Sequence, residues 1–222
     1  MSTAPLRVAV LASGRGSNLQ ALIAARDAGE LPVDFVAVGS DKARAGALQL
    51  AQDAGIPTFT LDPKAFASRR DYDFELFRRL EASGAQLLVL AGFMRIIDGD
   101  ALTPWVGRMI NIHPSLLPKY RGLHTHRRAL EAGDAEHGAS VHYVTAELDG
   151  GPVIAQARIG IRPGDDEPML AQRLLGFEHQ LLPAVLRLIA EGRVALLPPD
   201  RVALDGQPQR EPLQLREGKL VD

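Results

Sequence analysis

The sequence predicts an α/β fold, a doubly wound and mostly parallel sheet with a hairpin-like addition and a long helix toward the C-terminus. Three observations predict it. Short apolar runs alternate with amphipathic stretches through the first half of the chain. The first of these runs ends in Gly14-Arg15-Gly16. From Ala139 onward the pattern changes to residue-by-residue alternation on either side of Asp149-Gly150-Gly151-Pro152.

Each element has its own justification. Leu6 to Ser13 reads as a buried strand, and after the glycine turn Ser17 and Gln20 have capping-box spacing, with Leu19, Leu22 and Ile23 at a helical period. Phe35 to Ser40 is the second strand, Ala43 to Ala54 a helix stopped by Gly55, and Pro57 to Leu61 the third strand. Phe74, Phe77 and Leu80 stripe another helix. Gln86 to Ala91 is apolar enough to be covered on both faces, and Met109 to His113 follows as the next strand. Ala139 to Thr145 and Val153 to Ile161 form the hairpin-like addition, and Glu167 to Glu191 is a long helix in which Pro183 can place a kink. Residues 1–195 are expected to form a single domain, with 196–222 a loosely attached tail that holds four prolines.

Composition narrows the classes of function. A chain of 222 residues with 46% hydrophobic and 23% charged side chains has ample material for a core. Its net charge of −2 supplies no basic field for a polyanion, so nucleic acid is not an expected partner. The absence of cysteine excludes disulfides and thiolate chemistry. Residues 1–6 lack a signal-peptide pattern and no run approaches the ~18 apolar residues of a membrane span, so the expectation is a cytoplasmic protein without a membrane partner.

Two segments carry chemistry. A strand that enters a glycine-rich turn and then a helix gathers backbone N–H groups and the positive end of a helix dipole at one point, which suits a phosphate. The third glycine of a dinucleotide fingerprint is replaced by Leu19, and no lysine stands where a P-loop needs one. A monophosphate is therefore the sharper reading, and a plain tight turn the alternative. In Met109-Ile110-Asn111-Ile112-His113-Pro114, residues two apart share a strand face, so Asn111 and His113 point together at the carboxyl end of a strand, where open α/β sheets bind ligands. An amide N–H beside an imidazolium can stabilise an oxyanion, and the ring can also manage a proton. Asp149 taken alone is a turn former; brought to His113, its charge would favour the protonated ring. His124, His126, His137 and His142 do not have metal-site spacing, and Arg69 and Arg70 lie just before a helix, where they could pair with an anion.

The ordered blocks Ser13-Gly14-Arg15-Gly16-Ser17-Asn18-Leu19-Gln20, Leu90-Ala91-Gly92-Phe93-Met94-Arg95-Ile96, Asn111-Ile112-His113-Pro114-Ser115-Leu116-Leu117-Pro118, Gly122-Leu123-His124-Thr125-His126 and Glu147-Leu148-Asp149-Gly150-Gly151-Pro152 closely resemble the phosphoribosylglycinamide formyltransferases. The likeness runs from the first strand to about Val194. It implies a Rossmann-like formyltransferase fold and transfer of a formyl group from 10-formyltetrahydrofolate to the amino group of glycinamide ribonucleotide in de novo purine biosynthesis. Direct attack through a tetrahedral intermediate is implied, with no metal.

The same resemblance assigns Asn111, His113 and Asp149 to catalysis. It assigns Gly16, Ser17, Asn18, Leu19, Gln20 and Glu178 to the ribonucleotide. Arg69, Met94, Arg95, Ile96, Ile97, Asn111, Glu147 and Asp149 fall to the folate. Arg15 and Ala146 depart from the family pattern. The alternatives are another enzyme that uses 10-formyltetrahydrofolate, a deformylase or a methionyl-tRNA formyltransferase, or a non-catalytic protein that binds a phosphorylated metabolite. A homodimer is open, as is closure of the loop from Ser115 to Gly122.

Overall fold

The computed structural model describes residues 4–198 and 200–221, which fall into two compact units divided between Asn111 and Ile112. Residues 1–3, Pro199 and Asp222, on which parts of the leader and tail readings fall, lie outside the described residues.

The first unit is the parallel α/β half. In chain order it runs β1 (Leu6–Leu11), α1 (Ser17–Asp27), β2 (Val33–Ser40), α2 (Gly46–Asp53), β3 (Thr58–Thr60), α3 (Arg69–Ala82), β4 (Leu87–Leu90), α4 (Gly99–Leu102) and β5 (Met109–His113), the last two residues of which fall in the second unit. The strands pair in the order β5-β4-β1-β2-β3, all parallel. The chain thus starts in the middle of this order and winds outward in both directions. Every residue of β4 is buried, as expected of a strand covered on both faces, and Val8 to Leu11, Met109 and Ile110 are fully buried beside it. The helix α3 starts where Ser68 Oγ accepts from the Asp71 N–H at 3.1 Å.

One local expectation is overturned. Ser17 does not cap α1: it is the first helical residue, and the capping position belongs to Gly16, with φ 83° and no side-chain cap. The cause is close packing. A Cβ on residue 16 would lie 2.7 Å from Ala47 Cα, so only glycine can bring the turn this near α2. Arg69 and Arg70 likewise stand in the first turn of α3 rather than before it.

The second unit holds α5 (Thr125–Glu131), β6 (Glu136–Tyr143), β7 (Val153–Gly160), α6 (Glu167–Ala190), β8 (Val194–Leu197), β9 (Arg201–Leu204), β10 (Gln207–Pro208), β11 (Leu213–Arg216) and β12 (Lys219–Val221). The expected hairpin is β6 antiparallel to β7. The helix α6 buries Leu170, Leu174, Leu181, Leu182, Val185 and Leu186, continues through Pro183, and is capped where Asp166 accepts from the Met169 N–H at 2.8 Å. The expected loose tail, residues 196–222, holds the end of one strand and four more. β8, β9 and β10 form a small antiparallel sheet, whereas β11 joins β7 in parallel and carries β12 on its other side. The apolar positions Val202, Ala203 and Leu213 are buried, which ties these short strands down. Among the described residues no helix is long and apolar enough to cross a membrane.

Candidate active site

The first unit supplies two backbone platforms. At the end of β1, Gly14 and Arg15 are exposed, and Gly16 turns the chain into α1, whose start has no side-chain cap. Ser17, Asn18, Leu19 and Gln20 form the first turn, with the Gln20 N–H bonded to Gly16 O at 2.8 Å. Leu19 is fully buried, so its side chain serves the core and only its backbone can face a ligand. A helix start without a side-chain cap leaves backbone N–H groups and the positive end of the dipole available, which suits an anion.

The second platform is the segment after β4. Ser13 anchors it, its N–H bonding Gly92 O at 3.0 Å while its Oγ accepts from the Met94 N–H at 2.9 Å. Asp73, buried on α3, accepts from the Asp98 N–H at 2.8 Å and thereby holds the far end. Burial pushes the Asp73 carboxyl above its usual range, while the Asp98 hydrogen bond and then the Arg95 charge act the other way. The Arg95 guanidinium lies over the Tyr72 ring at 4.5 Å. Between these anchors, Met94 and Ile96 are 68% and 55% exposed, which is unusual for large apolar side chains on a held backbone. Arg69 is exposed at the start of α3, and its neighbour Arg70 pairs with Asp100 at 2.8 Å.

Asn111 and His113 stand two apart on β5 and so share a face, Asn111 in register with Leu90 and His113 at the strand's last position. In the second unit, His113 is 6% exposed and both its ring nitrogens meet oxygen. Nδ1 lies 3.5 Å from Asp149 Oδ2, and Nε2 lies 2.9 Å from the carbonyl oxygen of Tyr120. A carbonyl oxygen can only accept, so the Nε2 contact is made by an N–H.

Asp149 takes a left-handed φ of 46°, its Oδ2 accepts from the Gly122 N–H at 2.9 Å, and its Oδ1 lies 3.7 Å from His142 Nε2. Non-glycine residues in this conformation mark places where surrounding contacts dictate the backbone. His142 Nδ1 lies 2.9 Å from the Tyr143 carbonyl, and burial pushes this ring well below the usual histidine range. One carboxylate is thus flanked by two imidazoles, of which burial favours the neutral form of His142. Glu147 pairs with Arg121, Ala146 is exposed beside it, and Glu178 is buried on α6.

The histidines without metal-site spacing have other occupations. His124 is the left-handed cap of α5, φ 59°, while His126 Nδ1 meets His137 Nε2 at 3.0 Å. Among the described residues no group of three or more histidine, aspartate or glutamate side chains is placed to hold a metal ion. Sequence reasoning missed Tyr120, Gly122 and the contact of His142 with Asp149. Of these only His142 had a signal, its membership in a strand that alternates toward Asp149.

A formyl transferase family profile matches residues 6–186. The chain is 48% identical over 202 residues to the phosphoribosylglycinamide formyltransferase of Escherichia coli (strain K12), covering 91% of this chain and 95% of that one. It is 49% identical over 194 residues, 86% of its length, to the trifunctional purine biosynthetic protein adenosine-3 of Drosophila melanogaster, of which it spans 14%. Among solved structures, a phosphoribosylglycinamide formyltransferase from Coxiella burnetii matches with a TM-score of 0.88 at 48% identity, over 92% of this chain and 95% of that one. A glycinamide ribonucleotide transformylase 1 from Symbiobacterium toebii matches with a TM-score of 0.88 at 42% identity, over 91% and 95%. With a paired histidine and aspartate, an asparagine on the same strand face, a family profile over residues 6–186 and likeness through 95% of the length of three relatives, the chain belongs to the formyl transferase family.

Proposed function

We propose that this protein transfers the formyl group of 10-formyltetrahydrofolate to the amino group of glycinamide ribonucleotide, a step of purine synthesis carried out in the cytoplasm. The observation that carries the reading is the buried His113–Asp149 pair, 3.5 Å between Nδ1 and Oδ2, at the end of the strand that also carries Asn111. Two of the relatives named above are phosphoribosylglycinamide formyltransferases by name and a third is a glycinamide ribonucleotide transformylase, which supports the reading.

Each group then has a task. The turn at Gly16 and the backbone of Ser17 to Gln20 hold the ribonucleotide phosphate, with Glu178 bonding the sugar hydroxyls. The exposed apolar side chains of Met94 and Ile96, with the backbone of Arg95 and Ile97, fit a flat heteroaromatic donor, and Arg69 and the loop at Glu147 its remaining polar groups. As the substrate amine adds to the formyl carbon, negative charge grows on the formyl oxygen. The Asn111 amide and the His113 Nδ1 proton are the donors for it. The 3.5 Å separation is longer than an ordinary N–H···O bond, so Asp149 holds that proton loosely enough to share it with the oxyanion. Asp149 also balances the imidazolium charge, and a water carries the proton from the attacking to the leaving nitrogen.

The test mixes the purified protein with both substrates and follows loss of the formyl group from the folate. Wild type is expected to turn over, and Asn111→Ala or His113→Ala to lose about 10²–10³-fold in kcat with ribonucleotide binding retained. Asp149→Asn is expected to fall in the same direction. No turnover by wild type, or undiminished turnover by His113→Ala, overturns the reading. Release of formate without transfer would point instead to a deformylase.

A further inference from the structure

Deepening that reading and resting on it, we propose that Tyr120 and Asp134 are positioning residues for His113: a clamp on the tyrosine side chain holds its backbone carbonyl against Nε2, which fixes the ring's proton and turns Nδ1 to the reaction. The segment between His113 and Tyr120 is tied down by polar groups. Ser140 Oγ donates to Ser115 O at 2.7 Å and accepts from the Leu117 N–H at 3.1 Å, and Gln156 Nε2 donates to Leu117 O at 2.9 Å. Ser115 Oγ in turn donates to Lys119 O at 2.6 Å. The loop therefore reaches Tyr120 with little freedom, and Tyr120 takes a left-handed φ of 55°, which a bulky side chain adopts only when other contacts require it.

Those contacts converge on Asp134. Its Oδ2 accepts from the Tyr120 hydroxyl at 2.7 Å, and both its oxygens accept from Lys119 Nζ at 3.0 Å. The Tyr120 hydrogen bond, followed by that of Lys119, holds the Asp134 carboxyl below the usual range, so it stays an acceptor. The Arg128 guanidinium lies 5.1 Å from the Tyr120 ring centroid and closes the other side. The product of this arrangement is a carbonyl oxygen 2.9 Å from His113 Nε2. A carbonyl only accepts, so Nε2 carries a hydrogen in every protonation state of the ring, and the proton that comes and goes is the one on Nδ1. A histidine without this partner could place its single neutral proton on either nitrogen, so that neither ring edge would have a fixed role.

The test uses Tyr120→Phe, which deletes one hydroxyl and keeps the ring and the carbonyl, together with Asp134→Asn, which keeps an acceptor and removes the charge. Two readouts are taken: steady-state kcat and KM for both substrates, and the ring ¹⁵N shifts of His113 in histidine-labelled protein, assigned with His113→Gln. Tyr120→Phe is expected to lower kcat roughly tenfold, the low end of what losing an outer partner of a working histidine costs, with both KM values within about twofold. Its His113 signals should move from the Nε2-protonated pattern toward an average of the two tautomers. Asp134→Asn should shift both readouts the same way, and the double variant should be no worse than the weaker single one, since the two side chains act as one clamp. A folded Tyr120→Phe protein with wild-type kcat and unmoved ring signals overturns the proposal, as does a change confined to KM. The ring signals read the clamp even if wild type shows no formyl transfer, so a failure here is distinguishable from a failure of the proposed function.

Discussion

A methyl group at residue 16 would press on the Cα of Ala47 at 2.7 Å and would also sit on a backbone with φ 83°. Gly16→Ala is therefore expected to lose about 1–3 kcal/mol of stability in urea unfolding, and to raise the ribonucleotide KM while leaving the folate KM unchanged. At this scale the sequence was legible where a side chain's meaning follows from backbone geometry. Asn111 and His113 fall on one face because a strand repeats every two residues, whatever the rest of the molecule does. It was illegible where a backbone atom does the work. Every residue carries a carbonyl, so nothing in the letters marks Tyr120 O as the partner of His113, and nothing in Asp149-Gly150-Gly151 announces that the aspartate accepts from the Gly122 N–H. Ser17 was misread for a related reason: its spacing to Gln20 fits a capping box, but the close approach of Ala47 makes the glycine before it the cap.

Among elements, the strong periods were the readable ones. The strand Met109–His113 has the expected limits, β2 begins two residues before the expected Phe35, and α6 ends at Ala190, one residue short of the expected end. Helix caps sharpen such limits, and α6 supplies a measurable case. Asp166→Ala removes the acceptor of the Met169 N–H, and is expected to cost about 1 kcal/mol in chemical denaturation with kcat unchanged. The strands β9 to β12 escaped notice because they are only two to four residues long and lie among prolines, so no window was long enough to show alternation. Their pairing depends on partners far away in sequence, such as Leu213 with Ala155.

Across the whole molecule, buried histidines set the response to acid. Burial, and then the neighbouring His126, pushes His137 down to about 4, and burial lowers His126 and His142 as well. A depressed folded-state value means that the unfolded chain takes up protons first. The stability owed to these neutral rings is full above pH 6.5 and is lost as the pH falls from there through about 4. Thermal melts between pH 8 and pH 4 are expected to show Tm holding above about 7 and dropping by several degrees below 6.5. His137→Gln should flatten that drop, and a slope identical to wild type would exclude the pair His126–His137 as its source.

The parallel ladder of β11 on β7 has one more implication. β7 carries Gln156, which steadies Leu117, and its outer rim is sheathed by β11 and then by the three-residue β12, which has Lys219 facing water. A protein shortened before Leu213 would keep its chemistry-bearing residues yet bare a row of unsatisfied amides along β7, a template for other copies to add to. β11 and β12 thus guard solubility: their loss would first be seen as self-association in the test tube.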